Sequence, residues 1–192
     1  MINKLSKSEN YQDLSDLELW NLFLQGDDKA YEFIYFHFIR DIYNYGITIC
    51  ASKNLLKDLI QDLFLEIWNS RNNLSATDNI KFYLFKALKY KVHHALKAEQ
   101  KNNDQQKLMY ELQWDLSIED KMIMKQVAEE KKSKLLRAYH KLPHRQKEVL
   151  NLIYFENMSY DQVSELMDIN VSSVYTLTWK AISALKKNLL DR

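Results

Sequence analysis

Two glycines and one proline in 192 residues constrain this chain more than any other feature. Sheets joined by tight turns need glycine for left-handed backbone and proline for its fixed φ, whereas long helices avoid both. An all-α fold follows. The 46% apolar content, with 12% aromatic residues, fills the core of one or two domains. Cys50 stands alone, so no internal disulfide forms, and its neighbours Ile47 and Ile49 mark it as a buried thiol rather than a nucleophile. Arg40 and Asp41 interrupt the most hydrophobic stretch, which leaves no run long enough to span a bilayer, and residues 1–10 are too polar for a signal peptide. The expectation is a soluble, cytoplasmic protein.

Helix signals recur along the chain. Ser15 and Glu18 form a capping box ahead of Leu19, Trp20, Phe23 and Leu24, and Gly26 ends that helix. Asp27 or Asp28 caps a long helix over about residues 29–50, in which Ala30, Tyr31, Ile34, Phe38, Ile42 and Tyr45 repeat at helical period. A third helix, over residues 54–69, turns Leu55, Leu59, Leu63 and Ile67 inward. It leaves Lys57, Asp58, Gln61, Asp62, Glu66 and Asn69 outside. Residues 71–78, rich in Asn, Ser and Thr, read as a loop.

Charge is then distributed unevenly. Residues 79–107 carry seven lysines against two acids, a net +5, whereas residues 1–30 carry a net −3, so the overall +1 conceals a basic segment. Phe82, Tyr83, Phe85 and Tyr90 interleave with Lys81, Lys86, Lys89 and Lys91. Rings that stack on bases beside cations that pair with phosphates are a single-strand-binding pattern. A core helix whose lysines snorkel from its rim fits equally well. Residues 99–113, dense in Gln, Asn, Lys and Asp, read as a linker or a solvated extension of this helix.

Beyond the linker, Ile118, Met122, Ile123, Val127, Leu135, Leu136 and Tyr139 resume helical spacing. Pro143 opens a helix over residues 144–155, with Val149, Leu150, Ile153 and Tyr154 as its apolar contacts, and Asn157 closes it in a left-handed conformation. Ser159 and Gln162 then form a second capping box, for a short helix with Val163, Leu166 and Met167 on one face. The pattern breaks at Asp168, Ile169 and Asn170, and Asn170 or Ser172 caps a final helix. Its apolar stripe is Val171, Val174, Ala181 and Leu185; Ser172, Ser173, Tyr175, Thr176, Trp179, Lys180 and Lys187 lie off it. This is the pattern of a helix-turn-helix that offers short polar groups and cations to a major groove, and equally that of a helical hairpin in a bundle.

The order of these blocks resembles a sigma-70 family transcription initiation factor of the extracytoplasmic-function (ECF) type. The resemblance rests on Gly26-Asp27-Asp28-Lys29-Ala30-Tyr31, on Lys57-Asp58-Leu59-Ile60-Gln61-Asp62-Leu63-Phe64-Leu65-Glu66-Ile67-Trp68, and on Ile80-Lys81-Phe82-Tyr83-Leu84-Phe85-Lys86. Leu142-Pro143-His144-Arg145-Gln146-Lys147-Glu148-Val149 and Met158-Ser159-Tyr160-Asp161-Gln162-Val163 complete it. It implies two small helical domains joined by a polar linker: region 2 over residues 1–98, a linker over 99–118, and region 4, a helix-turn-helix, over 119–192. It also implies a promoter-specificity subunit that binds RNA polymerase core, recognises −10 and −35 elements and promotes DNA opening.

Residue roles carry over from the same resemblance. Asp58, Gln61, Asp62 and Glu66 fall where such factors contact the polymerase clamp. Asn72, Asn73, Lys81, Tyr83, Lys86 and Lys89 fall on the −10 reading surface, and Ser172, Ser173, Tyr175, Thr176, Trp179 and Lys180 on the −35 helix, whose flanking surface meets the polymerase flap. The implied partners are core polymerase, promoter DNA and an anti-sigma factor. The sequence departs from the family where Tyr175, Leu177 and Ile182 replace common basic residues, where Thr178 replaces an apolar one, and where Tyr90 and His94 replace Asn and Asp. Fewer cations hold fewer phosphates, which weakens independent −35 binding.

Two other classes were weighed. A DNA-binding regulator with an unrelated N-terminal helical domain accounts for residues 159–187 but not for residues 58–68 or the lysine segment. An enzyme finds little support: His93 and His94 are adjacent and so point about 100° apart on a helix, unlike an i, i+4 metal pair. No glycine-rich phosphate loop exists, and the carboxylates read as scattered over solvated faces. No cofactor, metal or catalytic residue is expected.

Overall fold

Helix boundaries follow capping chemistry. In the computed structural model, which describes residues 11–102 and 126–190, α1 (Asp16–Leu24) opens on Ser15, whose hydroxyl accepts the Glu18 amide while the Glu18 carboxylate accepts the Ser15 amide at 2.9 Å. The chain leaves α1 through Gly26 at φ +89°, a left-handed turn that a side chain would strain. Asp27 then accepts the Lys29 and Ala30 amides at the start of α2 (Asp28–Ile49). Ser52 caps α3 (Lys53–Ser70), and a 3₁₀ turn over Arg71–Asn73 leads towards α4 (Ile80–Asn102). α4 is anchored at its first residue, where the Ile80 amide donates to Asp16 Oδ2 at 2.8 Å.

The N-terminal half packs α2, α3 and α4 against one another, with α1 across α2 and α4. Leu19, Trp20 and Phe23 of α1 are buried, as are Ile34, Phe38, Ile42 and Tyr45 of α2. The inner stripe of α3 is displaced from the expected one. Leu56, Ile60, Leu63, Phe64 and Ile67 are buried, whereas Leu55 and Leu59 are only half-buried. The reason is that α3 contacts both α2 and α4, and a stripe wide enough for two neighbours is centred one residue on. Cys50 is buried, its thiol set 3.4 Å from the Ser52 carbonyl.

The C-terminal half consists of α5 (Gln126–His140), α6 (His144–Leu150), a π-helical turn over Asn151–Phe155, α7 (Tyr160–Met167) and α8 (Val171–Leu190). α8 is its centre, packed by α5, α6 and α7. The π turn shifts the side-chain phase, so Leu152 becomes fully buried and Tyr154, expected inside, is 56% exposed. Asn157 is left-handed at φ +55°, and Met158, just beyond it, is buried. Residues Ile118, Met122 and Ile123, and all of the 99–118 linker after Asn102, lie outside the described residues.

The two halves touch. α6 and the π turn pack on α2, and α7 packs on α4, so that one continuous core cluster runs through both halves. Among the described residues all regular structure is helical, and no helix is long and apolar enough to cross a membrane.

Gly46 marks the tightest approach of α2 to α3. A Cβ built there stands 2.5 Å from Leu56 Cδ1 and 3.2 Å from its Cγ, and Leu56 is fully buried. Helix propensity favours Ala over Gly by about 1 kcal/mol, but overpacking a full core costs about 1–3 kcal/mol. Gly46→Ala is therefore expected to lower the thermal midpoint by a few degrees, followed by circular dichroism. A raised midpoint would show that Leu56 yields freely.

Candidate nucleic-acid interface

On α3 the expected polymerase-facing residues share one exposed face. Asp58, Gln61, Asp62 and Glu66 are all solvent-exposed, and Leu65, half-exposed, lies among them. Glu66 is not idle: its carboxylate accepts a hydrogen bond from Lys91 of α4. The stripe of Leu56, Ile60, Leu63 and Ile67 on the opposite side holds this polar face outward.

The loop between α3 and α4 is pinned rather than loose. Arg71 lies over the Trp68 ring at 4.4 Å and donates to the Trp68 carbonyl at 2.8 Å. Trp20, fully buried, reaches across from α1 to donate its Nε1–H to the Ser75 carbonyl at 3.0 Å. These contacts leave Asn72 and Asn73 exposed on a fixed turn. Asn79 Oδ1 accepts the Phe82 amide at 2.9 Å and starts α4 beside it.

A cleft lies between α3 and α4. Leu63, Ile67, Leu74, Tyr83, Ala87 and Tyr90 line it, with Glu66, Ser70, Lys86 and Lys91 as its polar members. Tyr83 packs its ring 4.9 Å from Trp20, and its burial raises the phenol pKa above the ordinary value, so it presents a neutral aromatic surface. Tyr90 is 65% exposed and lies 4.2 Å from the His94 ring. Sequence reading placed both Tyr83 and Tyr90 among the rings interleaved with lysines and, by resemblance, expected Tyr83 on the −10 surface; Tyr90 is the more accessible of the two.

The four α4 candidates divide into two sets. Tyr83 and Lys86 line the cleft, whereas Lys81 and Lys89 turn into the seam between the two halves. Lys81 pairs with Glu156 at 2.6 Å and with Asp41 at 3.0 Å. Burial acts to lower the Lys81 pKa, but its hydrogen bonds to Glu156 and Asp41 outweigh that and hold it above the ordinary lysine value. Burial raises the Glu156 carboxyl, and Lys81 opposes the rise. Lys89 donates to Glu148 Oε1 at 2.9 Å, and the Tyr45 hydroxyl reaches the same oxygen at 3.4 Å. Lys86 meets Glu165 of α7 at 2.7 Å.

Glu148 and Glu156 correct one expectation outright. Both are buried, at 4% and 8% exposure, rather than scattered over a solvated face. A signal was present on the α4 side: Lys81, Phe85 and Lys89 recur every four residues, so two of the lysines share a stripe with a fully buried ring.

In the C-terminal half, α7 and α8 form a helix-turn-helix. Ser159 and Gln162 make the capping box, and Asp168 at φ +53° turns the chain. Asn170 rather than Ser172 caps α8: its side chain accepts the Ser173 amide at 2.7 Å and the Ser172 hydroxyl at 2.8 Å. Ser172, Ser173, Thr176 and Lys180 line a groove with Arg145, Ile169 and Leu177. Arg145, from α6, was not among the sequence candidates; it also donates to the Met167 carbonyl at 3.2 Å, which sets it beside the turn. Tyr175 stacks on Tyr160 at 4.1 Å, and Trp179 is 69% exposed. Thr178 is buried and satisfies its hydroxyl on the Val174 carbonyl at 2.8 Å.

Comparison with known proteins agrees with this geometry. Residues 132–185 match the family model described as Sigma-70, region 4. The ECF RNA polymerase sigma factor SigK of Mycobacterium ulcerans is 20% identical over 168 residues, which cover 87% of this chain and 89% of that protein. The fold is that of the sigma factor RpoE solved in complex with the anti-sigma factor NepR from Bartonella quintana, at a TM-score of 0.66 and 17% identity over 85% of this chain and 99% of that one. It is also that of CnrH solved in complex with the cytosolic domain of CnrY, at a TM-score of 0.60 and 14% identity over 91% and 96% of the respective chains. The helix-turn-helix thus lies within the segment that matches region 4 of sigma-70 factors, and a sigma factor of the ECF type aligns across both halves of the chain.

Proposed function

We propose that this chain is a promoter-specificity subunit: it binds bacterial RNA polymerase core, recognises −10 and −35 elements and promotes DNA opening. The observation that carries the reading is the two-sided character of α3. One side exposes Asp58, Gln61 and Asp62, another helps line the aromatic cleft with Tyr83, Tyr90 and Lys86, and Glu66 stands at the border of the two. Polymerase bound to the first side would bring promoter DNA to the second.

The cleft suits an unstacked base. Removing a base from the duplex costs a few kcal/mol, and stacking on an aromatic ring returns about 1–3 kcal/mol per base. Tyr83 and Tyr90 supply the rings, Lys86 a cation, and the fixed turn of Asn72 and Asn73 supplies amides for base edges. Lys81 and Lys89 join the phosphate contacts once the seam opens. On α8, Ser172, Ser173, Tyr175, Thr176, Trp179 and Lys180 meet the −35 element, with Arg145 as an added cation. We divide the chain into region 2 over 1–98, a linker over 99–118 and region 4 over 119–192, the last meeting the polymerase flap. Because RpoE was solved with the anti-sigma factor NepR and CnrH with the cytosolic domain of CnrY, an anti-sigma factor is the proposed regulator here, with the chain acting in the cytoplasm.

Run-off transcription with core polymerase on a promoter library tests the reading, and failure to copurify with core would overturn it. Asp62→Ala is expected to weaken core affinity about tenfold, equivalent to about 1.4 kcal/mol, with unchanged circular dichroism. Unchanged affinity would remove Asp62 from the contact. Lys86→Ala with Lys89→Ala is expected to leave core affinity intact, to slow promoter opening read by permanganate reactivity, and to lower the salt slope of single-strand binding by about 1.4. Loss of core binding instead would assign these lysines to the clamp contact or to the fold.

A further inference from the structure

Two exposed hydroxyls of α8 are already spent as donors. Ser172 gives its hydrogen to Asn170 Oδ1 at 2.8 Å, and Thr176 gives its own to the Ser172 carbonyl at 3.0 Å. A hydroxyl carries one hydrogen, so neither residue donates to the N7 and O6 acceptors of a guanine while these bonds stand. With its oxygen held on the backbone, Thr176 offers an approaching base its methyl group and an acceptor.

Two rings stand beside these hydroxyls. Tyr175 is 58% exposed and Trp179 69%, and at four-residue spacing they share one stripe of the helix. At about 100° per residue, the exposed arc of α8 runs from Tyr175 through Trp179, Ser172 and Thr176 to Lys180, away from the buried Val174 and Ala181. Lys180 lies on the far flank, in the groove that it shares with Arg145. Rings and cations thus occupy opposite flanks of one helix face. Tyr175 is also held in place: its ring stacks on that of Tyr160, the first residue of α7, with centroids 4.1 Å and planes 14° apart. Tyr160 is half-buried and packs on the core. An exposed ring fixed in this way has lost its rotamer freedom before a ligand arrives, which lowers the cost of binding.

We infer that α8 reads its element through thymine methyl groups. Tyr175, Trp179 and the Thr176 methyl form an apolar strip that meets them, Lys180 and Arg145 hold phosphates on the other flank, and Tyr160 is a positioning residue that fixes the Tyr175 ring. The thymine C5-methyl is the apolar group that a base edge presents in the major groove, so it is the chemistry this strip fits. The inference rests on the reading of α8 as the helix that enters the −35 element. Base preference then comes from apolar contact and is insensitive to salt, while the cations supply the salt-dependent part of binding.

The test uses the full chain assembled with core polymerase, on the promoter that the library run-off selects. In a second duplex every thymidine of the −35 element, on both strands, is replaced by deoxyuridine, which removes the methyl groups and keeps every hydrogen-bonding group. Affinity should fall about fourfold for each methyl contacted, the effect of exposing one methyl-sized apolar group. This arm alters the DNA alone, so no folding defect can produce it. Tyr175→Ala/Trp179→Ala should bind the two duplexes equally, with an unchanged salt slope because no phosphate contact is lost. Lys180→Ala should keep the preference and lower the slope by about 0.9. Tyr160→Ala should lose most of the preference and Tyr160→Phe should retain it; full preference in Tyr160→Ala overturns the positioning role. Equal binding of both duplexes by the unmodified chain, with the −35 element protected from cleavage, overturns methyl reading, and loss of core affinity in the double variant would then make the strip a protein contact. A selected element with no A·T pair overturns it at the first step. No protection of the −35 element at all overturns instead the reading of α8, and this inference with it.

Discussion

Tyr45 is the contact on which the arrangement depends. It is fully buried on α2, its ring lies 4.6 Å from Phe85 of α4 with the planes 4° apart, and its hydroxyl points at Glu148 of α6. Burial, with the Glu148 charge added, drives the phenol pKa well above its ordinary value, so Tyr45 remains a neutral donor. Full burial of each ring contributes about 1.5–3 kcal/mol, which fixes α4 on α2 and sets where its lysines emerge. Lys81 lies 5.7 Å from the Phe85 ring, and Lys89 meets the same Glu148 oxygen that Tyr45 does.

The contacts made across the seam are of a different kind. Lys86 and Glu165 are both more than half exposed, and a pair of that sort contributes about 0–1 kcal/mol. For Lys89 with Glu148, and for Lys81 with Glu156, desolvation offsets most of the attraction, although removal of one partner strands the other. The N-terminal half is therefore held by apolar packing, while the ion pairs add register to the docking of the halves more than strength. The weakly basic α8, where Tyr175 and Trp179 stand exposed and Lys180 shares the groove with Arg145 of α6, adds position to a DNA complex more than affinity.

Much of this was legible in the sequence. The scarcity of Gly and Pro, the capping boxes at Ser15 and Ser159, and the left-handed Asn157 and Asp168 all follow from local chemistry, which acts within a few residues. The exposure of Asp58, Gln61, Asp62 and Glu66 followed from helical period, while their expected role came from the family resemblance. The phase of α3 and the exposure of Tyr154 were not, because the first depends on two neighbours at once and the second on a π turn that no residue type announces. Least legible were the partners of the lysines. Glu148, Glu156 and Glu165 are between 59 and 79 residues from Lys89, Lys81 and Lys86 in sequence, and no local periodicity marks a pairing over that distance. Lys81, Phe85 and Lys89 at four-residue spacing hinted that two cations share a buried stripe.

Footprinting of a promoter, with and without core polymerase, tests the central claim most directly. A promoter-specificity subunit should protect the −10 and −35 elements strongly when core is present and leave them open to cleavage when alone. Equal protection by the free chain, with no change on addition of core, would identify a DNA-binding regulator and contradict the account.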